Sequence, residues 1–418
     1  MALYLSNAEY IDPQTLEMRT TGIRVHEGPG AGIEFVDANT ANDPEVDCTG
    51  RIVTKSFVIG HHHIYSALAR GMPAPKSSPT NFVEILEKIW WRLDKALDSE
   101  MIRSSALAAG IDAAKAGTTF IIDHHASPNS AGDSLHIIAE ALESIGLSHL
   151  LCYELSDRDG AERLESGLAE TDRYLANHQG LVGLHASFTV SDELLARAME
   201  MARSHNTGVH IHVAEAESDE TDSLEKFSKR VVHRLSEVGA LDLPQTILAH
   251  CIHLDESERA LVRDAQAWVA QQSESNQNNA VGCLDASGFP DRVFIGTDGM
   301  HGDCLAAARA TYLASQGVDG LSPNDAYKRL RRVHSYLEQN KFTGDSANNL
   351  VILNYPSPTP ITPSNWAAHM MYGLNRSHIE TVISDGRDIV RDGVCTLVDE
   401  QAIFSDAKQQ AQRLWDRL

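Results

Sequence analysis

The chain of 418 residues carries 35 Lys and Arg against 58 Asp and Glu, a formal net charge of −23, and 42% of it is hydrophobic. That suits a large globular core, while so acidic a surface repels nucleic acid and anionic lipid and excludes both as partners. No apolar run approaches the roughly 18 residues of a membrane span, the start "MALYLSNAEYID" lacks the features of a secretory signal, and six scattered cysteines form no Cys-x-x-Cys pair, so a reduced, cytoplasmic protein is expected.

Residues 1–53 alternate in β fashion ("GIRVHEG", "AGIEFVD", "GRIVTK"). From there short apolar runs alternate with helical patterns. The strand candidates are "SFVIG", "GTTFIID", "SHLLCY", "GLVGLHA", "TGVHIHVA", "QTILAHC", "AWVAQQ" and "DRVFIGTD". Between them lie helix-like stretches such as "FVEILEKIWWRLDKAL" and "DELLARAMEMARSHN". Continuous apolar strands separated by helices predict an α/β fold, a (β/α)8 TIM barrel over residues 54–346, although a doubly wound sheet would alternate in the same way. The tail from Asn349 is β-like again, with Asp-Gly hairpin signals in "SDGRDI" and "VRDGVC". Residues 347–418 are therefore expected to join residues 1–53 in one small β-sandwich domain. Trp90 and Trp91 fall in an amphipathic helix, where packing is the expected role.

Barrel enzymes gather their chemistry at the C-terminal ends of the strands. Those ends carry His61-His62-His63, then Asp123-His124-His125, His185, His210 with His212 and Glu215, His250 and finally Asp298. Alternation along a strand turns His61 and His63 one way and His62 the other. A single histidine there is ordinarily a hydrogen-bonded residue, but a set ordered strand by strand points to a metal site. Neutral imidazoles with one carboxylate suit Zn²⁺ or Fe²⁺ with a position left for water, whose pKa falls to about 7. Glu215 lies close enough to reach that water without binding the ion.

"HHHIYSALARG", "HIHVAE", "LAHC" and "GTDG", in this order, resemble the amidohydrolase superfamily in its mononuclear deaminase and chlorohydrolase branch. "IWWRLDKALD", "DHHASP", "YELSDRDG", "GLHASFT" and "SNQNNAVG" look most like the SsnA-type aminohydrolases. The resemblance implies one divalent metal ion, zinc before iron, on His61, His63, His212 and Asp298. It implies Glu215 as proton shuttle with Asp298, and His250 as the group that polarises the attacked carbon's substituent or orients the water. Arg70 and His185 would contact the substrate, and His62 would be structural. His124, His125 and His301 are secondary candidates for the pocket lining. The fourth strand, "GLVGLHAS", has no lysine to bridge a second ion.

The sequence departs from the family pattern in three places: Lys55-Ser56 stands for Pro-Gly, "QQSESNQNN" for an Asn-Pro-x-Ser-Asn stretch, and "SANNL" for Ala-Asp-Leu. The activity implied is that of a metal-dependent aminohydrolase releasing ammonia from a small nitrogen heterocycle, such as an aminopurine or pterin, by attack of metal-bound hydroxide. The same site could serve a cyclic-amide hydrolase or a triazine-type chlorohydrolase, and a non-catalytic metal-binding protein is the rival from another class. A small-molecule substrate and a homodimer are the partners the resemblance implies.

Overall fold

The computed structural model describes residues 2–418 in two sheets. Strands β1 (Ala2–Ile11), β2 (Met18–His26), β3 (Ile33–Val36), β4 (Glu45–Asp47) and β5 (Ile52–Lys55) come from the front of the chain. Strands β14 (Leu350–Leu353), β15 (Ile379–Ser384), β16 (Arg387–Arg391) and β17 (Val394–Cys395) come from its end. Together they form one mixed sheet in the order β17-β16-β15-β14-β5-β1-β2-β3, with β4 paired to β1. Its apolar core includes Leu5, Ile23, Val25, Val53, Ile352 and Ile383.

The seam joining the two pieces is β5 against β14, antiparallel, with Val53 opposite Ile352. The sheet runs through Lys55, past residue 53, and the chain changes sheet at Ser56. Ser56 N donates to Asn349 O in the first sheet, and Phe57 N donates to Gly117 O beside the second. Residues Glu400–Trp415 are not sheet but a helix, capped by Asp399. Trp415 Nε1 donates to Leu68 O at 2.8 Å, and Lys115 pairs with Glu400 at 2.8 Å, which fastens this helix to the flank of the second sheet.

That second sheet is wholly parallel. It comprises β6 (Phe57–His62), β7 (Thr118–His125), β8 (Ser148–Leu155), β9 (Val182–Ala186), β10 (Val209–Val213), β11 (Ile247–His250), β12 (Trp268–Gln271) and β13 (Val293–Ile295), in sequence order. Nearly every residue in these strands is buried, as expected where helices cover one face and a packed barrel interior the other. Val58, Phe120, Ile122, Leu150, Ile247 and Phe294 fill the interior with Val333, Tyr336 and Leu337 of the helix Pro323–Gln339. Tyr336 OH donates to Gln245 O, ahead of β11, so this plug closes the N-terminal end.

The ring closes just past β13, where Thr297 N and Asp298 N donate to His61 O and His63 N donates to Asp298 O. Two glycines permit that approach. A Cβ on Gly60 would lie 2.5 Å from Phe294 Cδ2 and 2.8 Å from Ile295 O, and one on Gly296 would lie 2.8 Å from His61 Cβ. Gly60→Ala is therefore expected to destabilise the protein by about 1–3 kcal/mol, the usual cost of overpacking. Thermal unfolding checks this, and an unchanged midpoint would show that the seam has room to spare.

Candidate functional site

The open, C-terminal end of the barrel collects the polar residues. His61 and His63 arrive at the end of β6, His212 from β10 and His250 from the end of β11, while Glu215 and Asp298 lie three residues beyond His212 and Ile295. His63 Nε2 lies 3.1 Å from His212 Nε2 and 3.1 Å from Asp298 Oδ1, and His61 Nε2 lies 3.6 Å from the same oxygen. His63 Nδ1 and His212 Nδ1 each donate to a backbone carbonyl, of His124 and His185, at 2.7 Å. A ring with its hydrogen committed at Nδ1 presents a bare Nε2, which is what a metal ligand needs. His61 Nε2 is buried with no hydrogen-bond partner. An orphaned buried acceptor beside two convergent imidazoles and a carboxylate fits a divalent metal ion.

His250 is turned differently. Asn276 Nδ2 donates to its Nδ1 at 2.7 Å, so the hydrogen sits on Nε2, 3.4 Å from Glu215 Oε2 and 3.8 Å from Asp298 Oδ2. The two carboxyls are driven apart. Burial and the Asp298 charge hold Glu215 well above the usual carboxylate range. Burial also opposes ionisation of Asp298, but the imidazoles of His61 and His63 beside it outweigh that and hold the carboxyl well below the range. Separation of this kind assigns acid and base roles to a pair. Burial lowers His61 to about 3, whereas for His63 burial is outweighed by Asp298, which lifts it to about 9. A cation placed there would take over the role of that proton.

The backbone is strained where these side chains project. Ala214, His250, Cys251 and Asp298 have φ of 45°, 74°, 56° and 52°, left-handed conformations that cost of order 1–3 kcal/mol each and cluster at functional sites. Asp219 Oδ2 accepts from Ala214 N at 2.9 Å, and Ala214 O accepts from Ile252 N and His253 N, which locks the bend ahead of Glu215 to the one at His250.

A cavity opens over the centre. His63, His212, Glu215, His250 and Asp298 form its floor, while Tyr65, Phe82, Leu86, Trp90, Trp91 and Phe188 supply aromatic and apolar wall. Part of the remaining wall is an ion cluster. Arg158, its side chain only 9% exposed, donates to Glu154 at 2.8 Å, Asp159 at 3.0 Å and Asp94, and its guanidinium lies 5.2 Å from the Trp91 ring.

Residues 52–329 match the amidohydrolase family model along their whole length. The chain belongs to the amidohydrolase family. It is 26% identical to a 5'-deoxyadenosine deaminase of Methanosarcina mazei, across 98% of this chain and 96% of the other. It is also 26% identical to a 5-methylthioadenosine/S-adenosylhomocysteine deaminase of Desulforamulus reducens, across 89% and 88%. Among solved structures it shares its fold with a zinc-bound adenosine deaminase from Xanthomonas campestris (TM-score 0.83, 18% identity, 99% of this chain and 98% of the other). The atrazine chlorohydrolase TrzN from Arthrobacter aurescens, complexed with zinc, is similar too (TM-score 0.82, 17% identity, 98% and 100%).

In this amidohydrolase the structure brings His61, His63, His212, Glu215, His250 and Asp298 into one cluster, and His185 lines the cavity with Nδ1 held by Thr189 at 2.6 Å. Arg70 is corrected: its side chain is 63% exposed, pairs with Asp112 at 3.3 Å and is absent from the cavity wall. Its guanidinium reaches instead to Asp112 on the helix Ser99–Lys115. Trp90 and Trp91 are corrected in the opposite sense, since both face the cavity instead of serving only as packing. His62 bonds Thr297 and His125 bonds Ser127, both buried away from the cavity, and His301 pairs with Glu274 at 2.6 Å. Glu154, Arg158, Asn276 and Asn279 were missed as site residues. Glu154 stands at the end of the third strand, β8, and the others follow β8 and the seventh strand, β12, so the strand-end rule applied to those two strands would have found them.

Proposed function

We propose that this amidohydrolase is a metal-dependent aminohydrolase that releases ammonia from a flat, amino-substituted nitrogen heterocycle of the purine or pterin kind. The observation that carries the reading is the convergence of the His61, His63 and His212 imidazoles with Asp298, beside which Glu215 lies 3.4 Å from His250. His61, His63, His212 and Asp298 would hold the ion, zinc before iron, which when bound makes water nucleophilic near neutral pH. Asp298, ionised, accepts a proton. Glu215, which holds its proton strongly, delivers it to a ring nitrogen and recovers one from the new hydroxyl as the amine, protonated through Asp298, departs as ammonia. His250 Nε2–H steadies the substituent on the attacked carbon. Tyr65, Trp90 and Trp91 give a planar ring faces to pack against and keep bulk water from the carboxyls. The deaminase names of both curated relatives support the same leaving group. The six cysteines are all unpaired, in keeping with a cytoplasmic enzyme.

The test is ammonia release across aminopurines, aminopteridines, aminopyrimidines and triazines. Chloride or a ring-opened acid in place of ammonia would move the enzyme to the chlorohydrolase or cyclic-amide reading. No turnover of any of them by metal-loaded protein would favour a non-catalytic binder.

The cavity wall gives a second expectation. Stacking of a base on an aromatic side chain is worth about 1–3 kcal/mol, so Trp91→Ala should raise KM by roughly 10- to 100-fold with metal content unchanged. Arg70→Ala, altering an exposed residue outside the cavity, should leave kcat/KM as it was. Steady-state kinetics on both variants check this, and a reversed order would restore Arg70 to the substrate site.

A further inference from the structure

The imidazoles facing Asp298 do not lean on equivalent supports. His63 and His212 each rest on a backbone carbonyl, whose acceptor role is fixed. His61 Nδ1 instead lies 2.8 Å from Nε2 of His210, a second, fully buried imidazole on β10. His210 Nδ1 lies 3.7 Å from Sγ of Cys152 on β8, buried as well, and Cys152 Sγ is 3.5 Å from the Asp123 carbonyl.

Two polarities are open to such a chain. In one, Cys152 donates to the Asp123 carbonyl, His210 donates from Nδ1 to sulfur, and His210 Nε2 accepts from His61 Nδ1–H. His61 Nε2 is then bare, toward Asp298. In the other, the thiol donates to His210 and His210 donates to His61, which puts a hydrogen on His61 Nε2 and blocks it as a ligand. The Asp123 carbonyl biases the choice. It can only accept, it is the nearer of the two partners of the sulfur, and the reversed chain leaves it without this donor.

We infer that His210 and Cys152 are positioning residues that set the tautomer of His61 and so keep its Nε2 free to hold a metal ion. The inference rests on the metal-site reading above. It makes one ligand of that site conditional on two side chains that touch neither ion nor substrate. Partners of this type typically govern metal affinity by about 10- to 100-fold.

The experiment measures zinc affinity by chelator competition on the full chain, beside the melting temperature of the same protein freed of metal. His210→Leu should weaken zinc binding by roughly 10- to 100-fold. Cys152→Val should weaken it in the same direction. Cys152→Ser should restore wild-type affinity, because a hydroxyl can accept from His210 and donate to Asp123 at once. Nitrogen-15 imidazole spectra of the wild type should show His210 protonated at Nδ1 and bare at Nε2. Zinc affinity that is equal in wild type, Cys152→Val and Cys152→Ser would overturn the proposal, and so would a His210 protonated at Nε2, even if His210→Leu fails to fold. A wild-type protein that takes up no zinc would overturn the metal-site reading itself, an outcome distinct from both.

Discussion

Glu215→Gln is expected to keep its fold and its metal while losing turnover by about 10²–10⁴-fold, the usual contribution of a positioned acid–base group. Glu215 stands outside the donor set. Its Oε2 is 3.4 Å from His250, and its Oε1 accepts from Asn279 Nδ2 at 3.5 Å. Glutamine matches the size and can keep the Asn279 contact, but an amide neither stores nor delivers the proton that burial holds on the acid. Parallel measurement of metal content and ammonia release checks this. A variant that came out of purification without metal would make Glu215 a ligand and would invert the roles assigned to it and His250.

Removing the metal should reduce ammonia release to background, a loss of more than about 10³-fold, because Lewis-acid and nucleophile chemistry supply several kcal/mol and each 1.36 kcal/mol is tenfold in rate. Dialysis against a chelator followed by titration should restore activity at about one ion per chain. His61→Ala and Asp298→Ala should not be restored. The ion also stabilises the fold by mass action, by about 2.7 kcal/mol at a hundredfold excess over its Kd, so the melting temperature should climb with added zinc. Restoration at two ions per chain would require a second site. The end of β9, Val182–Ala186, offers no lysine for one.

The barrel was legible because each of its strands is buried on both faces and reads as an unbroken apolar run. The histidine cluster was legible because histidine is rare enough to stand out when it recurs at strand ends. Arg70 was misplaced because seven residues of spacing carry no direction, and only the fold shows its guanidinium aimed at Asp112. Trp91 was read as packing because a helix bordering a cavity has the same amphipathic pattern as one bordering a core. Glu154 and Arg158 drew no assignment, because the cluster they form depends on Asp94, 64 residues from Arg158, reaching the same guanidinium. Helix Glu400–Trp415 followed a run of hairpin signals and was absorbed into the β tail.

The pairing of β5 with β14 has a bearing on how the molecule is made. Residues 52–55 emerge from the ribosome almost 300 residues before the partners at 350–353 that flank them in the sheet. Strand β6 begins two residues later, at Phe57, and its own closing contacts at Asp298 appear only after the rest of the barrel has been synthesised. Contacts so distant in sequence form slowly, and the exposed strand edges invite aggregation while they wait. A nascent chain thus holds two histidines of the site early and the carboxylate very late. A cation site that needs both can be complete only after the last barrel strand, Val293–Ile295, has been made.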